Sequence, residues 1–347
     1  MSKSTSRHLE RNSHDDAPMI DGFGRRIDYV RISVTDRCDL RCNYCMAEDM
    51  TFLPKRDLLS HEEIIQLADI LIARGVRKIR LTGGEPLVRR GIDTLIAALG
   101  KRLGKKLGEG LEELTLTTNG TQLARFAGHL ADCGVQRVNV SLDTLDADKY
   151  RQITRRGDIG QVLGGIKAAK AAGLQVKINM VAMAGENEHE IGDMLRWCGG
   201  EGHDLTLIEA MPLGEVQVDR EAQFLSLETV RQELAGQFNL IPSLHRSGGP
   251  ARYDDVSEFG TQLGFITPLS QNFCSGCNRI RITSTGTVFG CLGHAQNVEL
   301  RDVLRNEGAE AVKALFDRLV AGKPERHSFD VVADEPAVER HMSVTGG

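Results

Sequence analysis

The sequence predicts an α/β protein, an incomplete (β/α)6 barrel of the TIM type followed by a smaller C-terminal α+β unit. Three observations predict it. Six short β-like runs recur through residues 29–210 with helical stretches in most gaps, and such alternation belongs to parallel strands joined by crossover helices. The runs alternate apolar and polar residues, whereas a sheet covered by helices on both faces reads as continuous Val, Ile and Leu. Glycines and small polar residues collect just after the strands, at the end where barrels of this kind carry their chemistry.

In order, the strands are "YVRISVT" (29–35), "KIRLTG" (78–83), "LTLTTNG" (114–120), "RVNVSLD" (137–143), "QVKINMV" (175–181) and "DLTLIEAM" (204–211). The clearest helix is "SHEEIIQLADILIARG" (60–75). Ser60 and Glu63 form a capping box there, and Gly75 lies past the end. "GIDTLIAALGKRL", "TQLARFAGHLADCG", "GQVLGGIKAAKAAG" and "EHEIGDMLRWCGG" follow similar logic. One strand face carries Ile32, Val34, Ile79, Leu81, Val138, Val140, Val176 and Ile178. The other carries Arg31, Ser33, Lys78, Arg80, Thr82, Thr117, Asn139, Ser141, Lys177 and Asn179. Four cations against a dry core would cost several kcal/mol each. That face is therefore a solvated sheet surface or, the reading favoured here, a wet lumen that binds an anionic ligand. "TGGEP" (82–86), "TTNG" (117–120) and "SLD" (141–143) end strands two to four. Gly83 and Gly84 let the backbone approach a ligand with no Cβ in the way.

After about residue 211 the pattern changes. A helix is expected near 227–238, short strands near 262–267, 279–284 and 287–290, and helices near 298–306 and 308–321. The organisation expected is a disordered tail over 1–20, the barrel over 21–215, the C-terminal unit over 216–340, and a flexible tail over 341–347. The net charge of −5 over 347 residues argues against bulk nucleic-acid binding. No run approaches the roughly 18 apolar residues of a membrane span. The polar N-terminus, with no apolar signal core, implies a cytoplasmic chain.

Eight cysteines are distributed unevenly. Cys38, Cys42 and Cys45 follow a C-x3-C-x2-C spacing, and Cys274, Cys277 and Cys291 form a second group. Cys133 and Cys198 stand alone on predicted helices and read as buried packing residues. In a cytoplasmic chain, clustered thiols point to metal rather than to disulfides. Structural zinc takes four ligands, and the 38–45 cluster supplies three thiols with no nearby histidine. Three thiolates suit a four-iron cluster whose last iron stays open to a ligand. On spacing alone, zinc stays open as an alternative.

C-x3-C-x2-C with Tyr44 before the third cysteine, just after a first strand and with "GGEP" closing the second, resembles the radical S-adenosylmethionine (SAM) superfamily. "RISVTDRCDLRCNYCM", "KIRLTGGEPLVRR", "LTTNG", "NVSLDTLD", the Cys274–Cys291 group with "NRIR" inside it and the final "GG" narrow the likeness. From about residue 23 onward the chain resembles the GTP 3′,8-cyclase family of molybdenum-cofactor biosynthesis.

The resemblance implies two [4Fe–4S] clusters, with Cys38, Cys42 and Cys45 on the SAM-binding cluster. Cys274, Cys277 and Cys291 would hold the second, whose open iron binds guanine. It implies SAM contacts from Tyr44, Gly84, Ser141 and Met211. It implies GTP contacts from Arg31, Arg80, Thr117, Lys177, Arg279 and Arg281, with Arg31, Arg279 and Arg281 as catalytic residues. A SAM-derived 5′-deoxyadenosyl radical would take the 3′-hydrogen of GTP, and C3′ would attack guanine C8. The implied partners are a one-electron reductant, a cyclic pyranopterin monophosphate synthase that receives the product, and a second copy of the chain. Gly346 and Gly347 match a tail that enters the site in that family. Thr206 stands where the family commonly carries Arg, which bears on the phosphate contacts. Two rivals remain at this point: another radical SAM enzyme with an auxiliary cluster, and a non-catalytic iron–sulfur or zinc protein.

Overall fold

The computed structural model describes residues 17–46, 48–104, 109–213, 220–329, 338, 340 and 342–345. The six expected runs form β1 (Tyr29–Ser33), β2 (Lys78–Thr82), β3 (Glu113–Thr118), β4 (Arg137–Ser141), β5 (Gln175–Ala182) and β6 (Asp204–Glu209). Between them lie α1 (His61–Ala73), α2 (Ile92–Gly100), α3 (Leu123–Asp132), α4 (Ala147–Thr154), α5 (Ile159–Ala171) and α6 (Ile191–Glu201). The capping box of α1 is formed in both directions: the Glu63 N–H donates to Ser60 Oγ at 3.2 Å, and the Ser60 N–H to Glu63 Oε2 at 2.7 Å. Sequence reasoning missed α4. It buries only Tyr150, Ile153 and Thr154, too narrow a stripe to stand out, although Asp146 caps it by accepting from the Lys149 N–H at 2.7 Å.

The C-terminal third adds α7 (Arg220–Gln223), α8 (Leu227–Ala235), β7 (Leu240–Pro242), β8 (Arg252–Val256), β9 (Thr261–Ile266), β10 (Arg279–Ile282), β11 (Thr287–Phe289), β12 (Asn297–Glu299), α9 (Arg301–Asn306), α10 (Ala309–Ala321) and α11 (Met342–Thr345). All twelve strands join one sheet in the order β12-β11-β10-β1-β2-β3-β4-β5-β6-β9-β8-β7. β10 runs parallel to β1, and β9 parallel to β6. Eight neighbouring strands, from β10 to β9, are thus parallel, and antiparallel pairs form the two margins. The partial barrel carries C-terminal strands on both of its sides. Local patterning cannot reveal this, because strand partners are chosen by contacts distant in sequence.

Alternation does what the sequence predicted. Val30, Ile32, Ile79, Leu81, Val138 and Val140 are almost wholly buried, in one apolar core with Ile64, Leu67 and Leu71 of α1. The opposite face points inward. Arg31, Lys78, Arg80 and Lys177 are also buried, at 3–8 % exposure, so the reading of a solvated outer face falls. Register places Arg281, Arg31 and Arg80 side by side, and Arg279, Tyr29 and Lys78 in the row beneath.

Of the two lone cysteines, Cys198 on α6 is buried. Cys133 packs against the core but is only partly buried, which corrects its reading as a buried residue. It follows the last turn of α3, partly exposed, with its Sγ 3.5 Å from His129 Nε2. Where the sequence alone reads a flexible end, Met342–Thr345 make a helical turn and Thr345 is buried. Gly346 and Gly347 lie outside the described residues. No helix among the described residues is long and apolar enough to cross a membrane.

Candidate active site

The loop after β1 carries the first three thiols. It is fixed from below by backbone bonds from the Arg41 and Asn43 N–H groups to the carbonyls of Thr154 and Ile153, both at 3.0 Å, at the end of α4. Tyr44 Oη donates to Asp143 Oδ2 at 2.6 Å, tying the loop to the end of β4. The turn after β2 lies against it. The Gly84 N–H reaches the Thr35 carbonyl and the Glu85 N–H the Arg37 carbonyl, both at 2.8 Å. A Cβ on Gly84 would sit 2.6 Å from the Arg37 carbonyl carbon and 2.9 Å from Asp36 O, so only glycine lets the two loops approach this closely. Glu85 is fully buried and accepts from the Leu87 N–H (2.9 Å), Thr118 Oγ1 (2.9 Å) and the Asn119 N–H (2.6 Å). Burial pushes its carboxyl up to about 7 against the pull of those donors.

Below the thiols, the lumen is lined by β1–β6 and by β10. Lys78 and Arg137 share Glu113, at 2.5 and 2.6 Å. Lys177 bonds the Tyr253 hydroxyl. Burial, with Arg137, Arg80 and Lys78 behind it, pushes the Lys177 ammonium down to about 7. Tyr29 lies under this belt, its ring 5.1–5.8 Å from the cationic groups of Arg31, Lys78 and Arg80. Burial raises its phenol, but Arg31, Arg80 and Lys78 prevail and bring it to about 7. Arg80 Nε and the hydroxyls of Thr82, Thr117 and Thr206 are buried without a protein partner. A buried polar group left unpaired costs about 1–3 kcal/mol, so the lumen is built to receive a polar, anionic ligand.

The second thiol group sits at the other end. β10 is parallel to β1, so Cys274 and Cys277, which precede β10, stand opposite Cys38, which follows β1. A five-residue strand separates the two levels by roughly 17 Å at about 3.3 Å per residue. Lys323 Nζ lies 3.5 Å and Arg279 3.9 Å from Cys277 Sγ. Burial raises that thiol, yet the two cations outweigh it and bring it down to about 6. Arg25 anchors the segment by donating to the Cys274 carbonyl at 2.9 Å.

One cavity of about 300 Å³ joins both ends. Each site residue named from the sequence lines it: Cys38, Cys42, Cys45, Tyr44, Gly84, Ser141 and Met211 toward one end, Arg31, Arg80, Arg281, Thr117 and Lys177 between, and Cys274, Cys277, Cys291 and Arg279 toward the other. Sequence reasoning missed Tyr29, Asp143, Ser247 and Tyr253. Tyr29 was legible, since it shares the strand face of Arg31. The others come from loops and from β8, where no periodicity marks an inward side chain.

The donor sets fit iron–sulfur clusters. Among the described residues no three His, Cys, Asp or Glu side chains are gathered closely enough to hold a single metal ion. A four-iron core is larger and takes soft thiolates at separate corners. Burial pushes Cys38 up to about 12 and Cys42 well above the usual thiol range. Thiolates there need a cationic core beside them, and at Cys277 the protein supplies cations itself.

A family model described as the radical SAM superfamily matches residues 32–198, and one described as Molybdenum Cofactor Synthesis C matches residues 203–329. The chain is 56% identical over 331 residues to a GTP 3′,8-cyclase of Erythrobacter litoralis, covering 95% of this chain and 98% of that one. It is 57% identical over 335 residues to a GTP 3′,8-cyclase of Rhodopseudomonas palustris, covering 96% of each. Among solved structures, Streptococcus suis SuiB bound to S-adenosylmethionine superposes with a TM-score of 0.57 at 16% identity, over 93% of this chain and 76% of that one. The protein anSMEcpe with bound AdoMet gives 0.56 at 14%, over 83% and 84%. These two likenesses bear on the fold alone. The chain belongs to the GTP 3′,8-cyclase family of the radical SAM superfamily.

Proposed function

We propose that this chain is itself a GTP 3′,8-cyclase. It removes the 3′-hydrogen of GTP and joins C3′ to guanine C8, giving 3′,8-cyclo-7,8-dihydro-GTP at the first step of molybdenum-cofactor biosynthesis. The observation that carries this reading is a single cavity with an incomplete thiol set at each end and a basic lumen between them. Its near full-length identity to curated GTP 3′,8-cyclases supports it.

S-adenosylmethionine bound at an iron–sulfur cluster supplies a carbon-centred radical able to take hydrogen from an unactivated C–H bond. The protein's own work is placement. Cys38, Cys42 and Cys45 hold the cluster at the C-terminal mouth, on a loop pinned by α4 and by Tyr44–Asp143. Tyr44, the Gly84 backbone, Ser141 and Met211 receive SAM in this reading, and all four line the cavity. Cys274, Cys277 and Cys291 hold a second four-iron cluster at the opposite end, where guanine docks. Arg31, Arg80, Thr117, Lys177, Arg279 and Arg281 receive GTP, the cations among them meeting its phosphates. The planar forks of arginine suit paired phosphate oxygens, and Arg31 and Arg281 are direct register partners, with Arg279 two residues before Arg281 on the same strand face. Holding the ribose between the two ends brings C3′ into reach of the radical and C8 into reach of C3′. The proposal includes a strong one-electron reductant, handover of the product to a cyclic pyranopterin monophosphate synthase, and a homodimer.

The test is anaerobic incubation of reconstituted protein with SAM, GTP and a strong reductant. Formation of 5′-deoxyadenosine together with a cyclised GTP supports the reading. Cleavage of SAM with GTP recovered unchanged overturns it. Two four-iron clusters require about eight iron and eight sulfide per chain, and about four of each would remove the second cluster.

A further inference from the structure

Tyr253 reaches the lumen by an unusual route. It belongs to β8, one of the antiparallel margin strands, and pairs with Gly264 of β9. Gly264 in turn pairs with Thr206 of β6. A Cβ at Gly264 would lie 2.8 Å from Tyr253 Cε1 and 2.9 Å from Thr206 Oγ1. The tyrosine ring therefore crosses β9 through the space a side chain would have filled. It packs on Thr206 and meets Lys177 of β5.

At that point its hydroxyl has two partners. The Lys177 ammonium donates to it, and Ser247 Oγ lies 2.7 Å away. An ammonium can only donate, so the phenol accepts from Lys177, while between Tyr253 and Ser247 either hydroxyl can be the donor. Nζ of Lys177 also lies 4.3 Å from the ring centroid. Asp204, the register neighbour of Lys177, is committed to the Gln262 N–H at 3.0 Å. The ammonium is thus held by a neutral group that leaves its charge available. The Ser247 carbonyl accepts from Lys78 Nζ at 2.7 Å, so one short segment steadies the lysines of β2 and β5.

We infer that Tyr253 is a positioning residue for substrate: its hydroxyl fixes the direction of the Lys177 ammonium toward the phosphate chain of the bound nucleotide. The inference rests on the functional reading above. Tyr253 is also a wall, since it borders an outer groove carrying Arg231, Arg246 and Arg252. Tyr253→Phe is accordingly the proper variant, because it keeps the ring and removes only the hydroxyl.

The experiment measures binding of GTP and of guanosine to anaerobically reconstituted holoenzyme, for wild type, Tyr253→Phe and Ser247→Ala. Tyr253→Phe is expected to weaken GTP binding about tenfold and to leave guanosine binding unchanged. Ser247→Ala is expected to cause a smaller weakening of the same kind. In turnover, KM for GTP should rise with kcat preserved. Equal weakening of GTP and guanosine would mean a structural role and overturns the inference, as does unchanged GTP affinity in Tyr253→Phe. A wild-type protein that binds GTP no more tightly than guanosine overturns the functional reading, and the inference with it.

Discussion

Gly84→Ala tests the contact between the thiol loop and the glycine turn. The new Cβ would lie 2.6 Å from the Arg37 carbonyl carbon and 2.9 Å from Asp36 O. Carbon atoms rest at about 3.5–4.0 Å, so the two backbones must part by roughly 1 Å. Both are main chain and cannot rotate away. The bonds from the Gly84 N–H to Thr35 O and the Glu85 N–H to Arg37 O, each 2.8 Å, open beyond useful range. At about 1 kcal/mol per bond, plus the cost of groups left unpaired, the local loss is ~2–4 kcal/mol. The larger consequence is geometric. Displacing a reacting group by about 1 Å can cost on the order of 100-fold in rate. The assay is 5′-deoxyadenosine formed per chain, with iron content and melting temperature measured alongside. The expected variant folds, binds less iron and cleaves SAM at least tenfold more slowly. SAM cleavage within about twofold of wild type, at full iron content, would refute the reasoning.

Three further predictions follow from the same geometry. Cys38→Ser should abolish SAM cleavage, while Cys274→Ser should spare cleavage and lose GTP binding and turnover; wild-type turnover in Cys274→Ser would remove the role given to the second thiol set. Lys177 is pushed down to about 7 by burial and then by Arg137, Arg80 and Lys78, with Asp204 opposing. Its charge is therefore lost as pH rises through 7, and the Kd for GTP should climb by up to about tenfold per pH unit above 7. Lys177→Arg stays charged and should flatten that profile, so an equal slope in both proteins would count against it. Within α5, Gly164 faces open space, whereas a Cβ on Gly165 would meet Gly120 O at 2.5 Å and Leu123 Cβ at 3.0 Å. By chemical denaturation, Gly164→Ala should gain about 0.5–1 kcal/mol and Gly165→Ala should lose about 1–3 kcal/mol; a gain at both positions would contradict the packing of α3 on α5.

Much of the site was legible because its signals are local. C-x3-C-x2-C and Cys274-x2-Cys277 are spacings along one segment. The polar alternation of Arg31, Lys78, Arg80 and Lys177 follows from the two-residue period of a strand. The short α4 hid because so little of it is buried. Cys133 was misjudged because a helix pattern does not say where its last turn meets solvent.

By itself the sequence determined the succession of parallel strands, the inward set of cations, the glycine turn and the two incomplete thiol groups. Tertiary structure decided what those groups face. Pairing of β10 with β1 sets the second thiols opposite the first. Pairing of β8 with β9 carries Tyr253 over Gly264 to Lys177. Periodicity tells which side chains share a face of one strand. Which strand lies beside it depends on burial and hydrogen bonding between segments far apart in the chain, and no local pattern encodes that choice.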